Sequence, residues 1–349
     1  MAQENAKWNE LAELGEFGLI KRVTAQVKIK NESTLTGVGD DCAVVNYPGK
    51  KVVVTTDLLT EGVHFNLIYV PLKHLGYKAV SVNISDICAM NAIPRQITVS
   101  LAISSKFTLA AIDELYEGIH LACAHYGVDL VGGDTTTSLT GLTISVTAIG
   151  EADAEELVYR SGAKPTDLLC VTGDLGGAYL GLQLLERENE LFRLNPTVQP
   201  QLSGYDYILS RQLKPEARTD MRDIFGTLGV KPTSMIDISD GLSSEILHIC
   251  ESSGVGCRLY EERLSFDPQV QKMAEEIGIN PLVAALNGGE DYELLFTIPL
   301  TEHEKVCNHP DITVIGHMTT QEQGALLVTA GGLQELPIQA QGWNPLKRD

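Results

Sequence analysis

The chain has 349 residues, 44% hydrophobic and 21% charged, which are ordinary proportions for a globular protein and enough length for two cored domains. A formal charge of −20 speaks against a nucleic-acid or anionic-membrane partner, and it would repel a phosphate ligand unless divalent cations reverse the local sign. No apolar run approaches the roughly 18 residues of a membrane helix. The first residues lack the regions of a signal peptide, and the seven scattered cysteines contain no Cys-x-x-Cys pair, so a reducing, cytoplasmic setting is expected.

In chain order, Trp8, Leu11, Leu14, Phe17, Leu19 and Ile20 predict an amphipathic helix over 7–22. A polar linker over 28–36 leads into Gly37-Val38-Gly39-Asp40-Asp41-Cys42-Ala43-Val44-Val45. Strands near 42–46 and 51–56 follow, separated by the turn Tyr47-Pro48-Gly49-Lys50. Helical spacing of Leu72, Leu75, Ala79 and Val82 predicts a helix over 72–90, with Ser85 and Asp86 on its later turns. A strand at 97–103, a helix at 108–125 and strands at 128–132 and 141–150 complete the first half. The acidic stretch after Gly150 places a domain boundary near 151. Beyond it come a strand at 168–172, a helix at 176–187, a polar excursion, a helix at 204–213 and the turn Pro215-Glu216-Ala217-Arg218. Strands at 234–238, 256–260, 292–298 and 312–315 then alternate with helices at 241–252, 267–276 and 301–307. Alternation in both halves predicts a mixed α/β architecture twice over.

The chemistry is concentrated in aspartates. Asp40, Asp41, Asp57, Asp86, Asp134, Asp237 and Asp240 each stand at the junction of an apolar segment, several beside a hydroxyl residue (Thr55, Thr56, Ser85, Thr135, Ser239). A single such aspartate reads equally well as a helix cap or turn residue. Their recurrence points to one shared centre, and hard oxygen ligands of this kind suit Mg²⁺ together with phosphate. Gly132-Gly133-Asp134-Thr135-Thr136-Thr137 reads as a hydroxyl-rich turn able to cradle phosphate, or as a plain strand end. Arg160 and Lys164 are the cations best placed to meet a phosphate, or else exposed linker charges. His64 falls in a glycine loop, and Gly288-Gly289-Glu290-Asp291-Tyr292-Glu293 sets acids at a strand start. There is no Gly-x-Gly-x-x-Gly, no P-loop and no nucleophile elbow.

Seven motifs in order carry a resemblance: Gly-Val-Gly-Asp-Asp-Cys-Ala from Gly37, Thr-Thr-Asp from Thr55, Asn-Ile-Ser-Asp from Asn83, Gly-Gly-Asp-Thr-Thr from Gly132, Arg-Ser-Gly-Ala-Lys-Pro from Arg160, Ile-Asp-Ile-Ser-Asp-Gly-Leu from Ile236 and Gly-Gly-Glu-Asp-Tyr-Glu-Leu from Gly288. Together they resemble the thiamine-monophosphate kinases, of the aminoimidazole ribonucleotide synthetase-like superfamily. The resemblance implies a two-domain fold, each half a mixed sheet with helices packed on one side. Residues 1–151 would bind ATP and Mg²⁺ and dimerise, and residues 152–349 would complete the site. It implies transfer of the γ-phosphoryl of ATP to thiamine monophosphate, with several Mg²⁺ ions, in a homodimer. Asp41, Thr55, Thr56, Asp57, Asp86, Asp134, Asp237 and Asp240 would be metal ligands, with Asp40 less implicated than its neighbour. Tyr116, Gly133, Arg160 and Ser239 would contact ATP, and His64, Glu290 and Trp343 would face the thiamine. The chain departs from the family at Gly342-Trp343-Asn344-Pro345, where a Gly-aromatic-x-His is usual.

No general base is expected. The acceptor would be a phosphate oxygen, already largely ionised near pH 7 because a phosphomonoester's second pKa is about 6. Sister enzymes of the superfamily fit less well. Selenophosphate synthetase calls for a reactive cysteine near the N-terminus, whereas the first here is Cys42; the hydrogenase maturation factor calls for a C-terminal one, whereas the last is Cys307. A catalytically idle metal- or nucleotide-binding protein is the alternative from another class.

Overall fold

The computed structural model describes residues 34–36, 39–104 and 106–341. The helix expected over 7–22, most of the 28–36 linker and Trp343 lie outside them.

The first sheet has six strands: β1 (Thr34–Thr36), β2 (Ala43–Asn46), β3 (Lys51–Thr60), β4 (Ile93–Ser104), β5 (Asp129–Ser138) and β6 (Thr143–Ala152). They lie in the order β1-β2-β3-β6-β4-β5, antiparallel except for the parallel pair β4–β5. Two helices pack on one face, α1 (Leu72–Ala89) and α2 (Leu109–Tyr126). Strict alternation along β6 explains the layer: Ile144, Val146 and Ala148 are buried, while the residues between them are half-buried on the other face. Gly150, in the same register, has no room for a Cβ, which would meet the Ile87 side chain of α1 at 2.6 Å.

Two glycines set how close the helices come. A Cβ on Gly76 of α1 would sit 2.0 Å from the Leu115 carbonyl oxygen, and one on Gly118 of α2 would sit 1.9 Å from that of Lys73. The helices therefore touch backbone to backbone. Thr108 caps α2 through its side chain at the Ala111 N–H, and Gly127 ends it at φ +66°.

The second sheet takes seven strands from 168 onward. They are β7 (Leu168–Thr172), β8 (Ser234–Asp237), β9 (Val255–Tyr260), β10 (Leu294–Ile298), β11 (Ile312–Thr320), β12 (Ala325–Val328) and β13 (Glu335–Pro337), in the order β13-β12-β9-β11-β7-β10-β8. Its helices are α3 (Gly177–Leu194), α4 (Asp206–Leu213), α5 (Met221–Leu228), α6 (Leu242–Ser253), α7 (Pro268–Ile277), α8 (Pro281–Asn287) and the short α9 (His303–Val306). This sheet is covered more fully than expected. Leu169 and Val171 of β7 pack with Ile246 and Ile249 of α6, whereas Leu168 and Cys170 pack with Met221 and Phe225 of α5 and Val306 of α9. Every residue of β7 and β10 is buried, which is why both are mostly apolar without alternation, Thr172 and Thr297 being the exceptions.

Several expectations need correcting. The helix expected to end at 187 runs on to Leu194. The helices α5 and α8 and the strands β12 and β13 were not expected at all. Gly132 to Thr137, read as a turn, continues β5 as an extended edge strand. Glycine is required there for a different reason: a Cβ on Gly133 would meet the Val99 carbonyl oxygen of β4 at 1.8 Å. Six of the seven cysteines are buried and none is paired in a disulfide; Cys307 alone is exposed.

Candidate active site

Three carboxylates meet where the two sheets adjoin. Asp41 precedes β2, Asp86 opens the last turn of α1, and Asp237 ends β8. One ligand oxygen from each lies within 4.8 Å of the others. Each is held by a neighbour. Thr55 of β3 donates its hydroxyl to Asp86, and Ser85 donates to Asp237 Oδ2 at 2.6 Å, which ties α1 to the second sheet. Arg160, in the segment between the sheets, grips Asp41 with two parallel bonds of 2.8 Å from Nε and Nη2. Its backbone N–H faces the Asp40 carboxylate at 3.3 Å, and Asp40 also accepts the N–H of Asp41 at 3.0 Å. Gly39 permits this hairpin of acids by taking φ +127°.

The electrostatics are those of like charges out of water. Burial, and then Asp41, push the Asp237 carboxyl up to about 8. Burial, followed by Asp237, Asp57 and Asp41, pushes Asp86 well above its ordinary value. Burial raises Asp57 to about 6. Asp40 rises to about 7 from burial and then from Asp41. Asp86 and Asp237 in particular favour the protonated form, or are neutralised by a cation drawn in among them.

Comparisons with known proteins identify the family. Residues 39–152 match the family model "AIR synthase related protein, N-terminal domain". Thiamine-monophosphate kinase of Bacillus subtilis is 34% identical over 342 residues, covering 96% of this chain and 100% of that one. The Aquifex aeolicus enzyme of the same name is 36% identical over 312 residues, 89% of this chain and 94% of its own. The chain belongs to the thiamine-monophosphate kinase family. A solved family structure, described as AaThiL complexed with AMPPCP and TMP, superposes with a TM-score of 0.81 at 33% identity, over 95% of this chain and 97% of that one. The fold is accordingly the aminoimidazole ribonucleotide synthetase-like one.

The remaining residues that the family resemblance implicates are placed unevenly. Asp57 shares the helix-facing side of β3 with Thr55, and its backbone N–H is fixed by Asn83 Oδ1 of α1 at 3.0 Å. Thr56 faces the other side of the sheet, where its hydroxyl bonds the Val146 carbonyl at 3.0 Å and accepts from Thr147 at 3.1 Å. Adjacent strand residues alternate, so Thr55 and Thr56 cannot point their side chains into one site of this chain. Asp134 and Gly133 are exposed on the edge strand β5, outside the carboxylate trio. Tyr116 is half-buried on α2, its ring 6.0 Å from that of His120.

Ser239 and Asp240 lie in the β8–α6 turn. The Asp240 N–H donates to buried Glu245 Oε1 at 3.0 Å, and the Ser239 carbonyl accepts the N–H of Glu290 at 2.7 Å. His64 Nδ1 accepts the Thr60 N–H at 3.1 Å and closes the turn after β3. Glu290 pairs with Lys78 of α1. Sequence reasoning passed over Asn83, Lys78, Gln212 and Glu245. The available signal for the first two was polar side chains in the middle of a helix that is buried on every side from Leu75 to Ser85.

Proposed function

We infer that this chain transfers the γ-phosphoryl group of ATP to thiamine monophosphate, giving thiamine diphosphate and ADP. The observation that carries the inference is the match to thiamine-monophosphate kinases along nearly the whole chain. A family member of this fold takes AMPPCP, an ATP analogue, together with TMP.

The site suits Mg²⁺. Its donors are carboxylate and hydroxyl oxygens, and burial together with the neighbouring carboxylates raises the pKa of Asp86 and Asp237, which a small hard cation relieves. Asp41, Asp86 and Asp237, with Asp57 and Thr55 beside them, would hold it; Thr56, Asp134 and Asp240 would serve further ions. Bound Mg²⁺ supplies charge neutralisation for phosphate oxygens, in place of the P-loop lysine this chain lacks.

The chain's own residues do the positioning. Arg160 offers a forked cation that can pass from Asp41 to a phosphate. By the family resemblance Tyr116, Gly133 and Ser239 would meet ATP, and His64, Glu290 and Trp343, the last outside the described residues, would meet the acceptor. No side chain has to take a proton, because the attacking phosphate oxygen arrives ionised. Residues 1–151 form the nucleotide and dimerisation domain, and residues 152–349 complete the site. The exposed edge β5 supports a homodimer paired through the first sheets. The acidic charge and reduced cysteines support a cytoplasmic setting.

A coupled assay of ADP release tests the reaction. Release is expected with thiamine monophosphate and not with thiamine, and is abolished by EDTA. Absence of turnover with thiamine monophosphate overturns the reading.

A further inference from the structure

Lys78 stands on α1 two turns before Ser85, on the same helix face. Its side chain is only 4% exposed, and a buried ammonium is costly unless it is paired. It is paired: Nζ lies 2.9 Å from Glu290 Oε1 and 3.3 Å from the Gln212 carbonyl oxygen. The other oxygen of the same carboxylate, Glu290 Oε2, accepts from Gln212 Nε2 at 3.1 Å. Gln212 is itself buried and leaves its own Oε1 without a partner, so its amide is oriented by Glu290.

Glu290 is constrained from its backbone too. It sits at φ +58°, a left-handed conformation costly for a side chain of its size, after Gly289 at φ +70°. Its N–H is bonded to Ser239 in the β8–α6 turn. Its side chain nevertheless keeps 27% of its surface open, unlike its two holders. A carboxylate has about four acceptor sites. Two are occupied by Lys78 and Gln212, and the rest remain for a donor arriving from the open side.

We propose that Lys78 and Gln212 are positioning residues for the phosphate acceptor: they clamp Glu290 from two buried sides so that its open edge accepts hydrogen bonds from an amino group on the acceptor's heterocycle. An acceptor-only group selects a donor, which makes an aminated ring the class of ligand read here. The proposal rests on the reading of the acceptor as thiamine monophosphate. A freely turning glutamate would pay the cost of its own ordering at each binding event, whereas a clamped one does not.

The test uses the full-length protein with Mg²⁺ and ATP, and the variants Lys78→Met, Gln212→Leu, Glu290→Gln and Lys78→Met combined with Glu290→Gln. ADP release gives kcat and KM for each substrate, and calorimetry gives the Kd for thiamine monophosphate. Both single clamp variants are expected to raise KM and Kd for thiamine monophosphate about tenfold or more, with KM for ATP within about twofold of wild type. Lys78→Met is expected to add nothing on the Glu290→Gln background, because it acts through that carboxylate. Additive effects, or equal changes for both substrates, overturn the proposal. If Lys78→Met does not fold, Gln212→Leu answers alone, since it leaves the ion pair in place. The wild-type measurement judges the reaction and the variant-to-wild-type ratios judge the clamp. A wild type that binds thiamine monophosphate without turnover refutes the reaction and still yields the ratios; one that neither binds nor turns over refutes both.

Discussion

Cation binding to the carboxylate trio should expel protons, and their number follows from the site. At pH 7 a carboxyl whose pKa is about 8 is protonated on about nine molecules in ten. Asp86, raised further by burial and by Asp237, also retains its proton. Both must lose it to serve as ligands. Between one and two protons per chain should therefore leave when Mg²⁺ binds at pH 7. Apparent affinity should climb about 10- to 100-fold per pH unit from pH 6 to 8, then less steeply once Asp237 is ionised beforehand. Titrating Mg²⁺ calorimetrically into EDTA-stripped protein, in two buffers of different ionisation enthalpy, counts the protons. The sign for stability is also fixed. These folded pKa values are raised above the unfolded ones, so the stability they confer is complete below about pH 4 and is lost as pH rises through about 8. The metal-stripped protein should melt at falling temperature from pH 5 to 8, and Mg²⁺ should raise its melting temperature most at pH 8. No proton release, with affinity flat across that window, would mean that the trio is already ionised and that the account of like charges in a dry site is wrong.

Three substitutions test other parts of the design. Asp237→Asn removes the charge Asp237 must take up to hold a cation, while keeping an acceptor for Ser85; ADP release should fall about 10³-fold or more, and the metal-stripped protein should gain roughly 2 °C or more in melting temperature above pH 8, where the aspartate would be ionised. Arg160→Leu leaves the fully buried Asp41 side chain without its fork, and urea unfolding of the stripped protein should show a loss of about 3 kcal/mol, partly recovered by Mg²⁺. Gly118→Ala forces a methyl to within 1.9 Å of the Lys73 carbonyl oxygen, so α1 and α2 must part at a cost of about 3 kcal/mol, again read from urea unfolding.

Much of the fold and the site could be read from the chain because both rest on local grammar. Asp41 and Asp237 were legible as acids at strand mouths, and Asp86 as a polar position on a strongly periodic helix. Asn83-Ile84-Ser85-Asp86 looks strand-like in isolation, and the longer helical period correctly outweighs it. The short helices α8 and α5 escaped, because they span two turns and show too little period to register, although α4, equally short, was expected. Gly132 to Thr137 misled for a physical reason: two glycines look like turn formers, but Gly133 is small so that β5 can lie close against Val99. The divergence of Thr55 and Thr56 was available from strand alternation alone. The clamp on Glu290 was not, since Lys78 and Gln212 are 134 residues apart and only the folded chain brings them together.

The polar content of α1 shows what this helix is for. Among its 18 residues, Lys78, Ser81, Asn83 and Ser85 are all buried, although alanine or valine would pack there without a polar group to satisfy. Each is paired across to a different element. Lys78 reaches Glu290, Ser81 the Pro215 carbonyl at 2.7 Å, Asn83 the Asp57 backbone, and Ser85 the Asp237 carboxylate. Three of these partners are candidate site residues, among them Asp237 at the end of β8 and Glu290 in the segment before β10, and the fourth lies in the segment joining α4 to α5. A helix selected only to fill a core would have no use for four such bonds. The arrangement instead fixes carboxylates from both sheets against one rigid rod before any ligand arrives, and in phosphoryl transfer that fixed placement of charge is the greater part of what a protein can contribute.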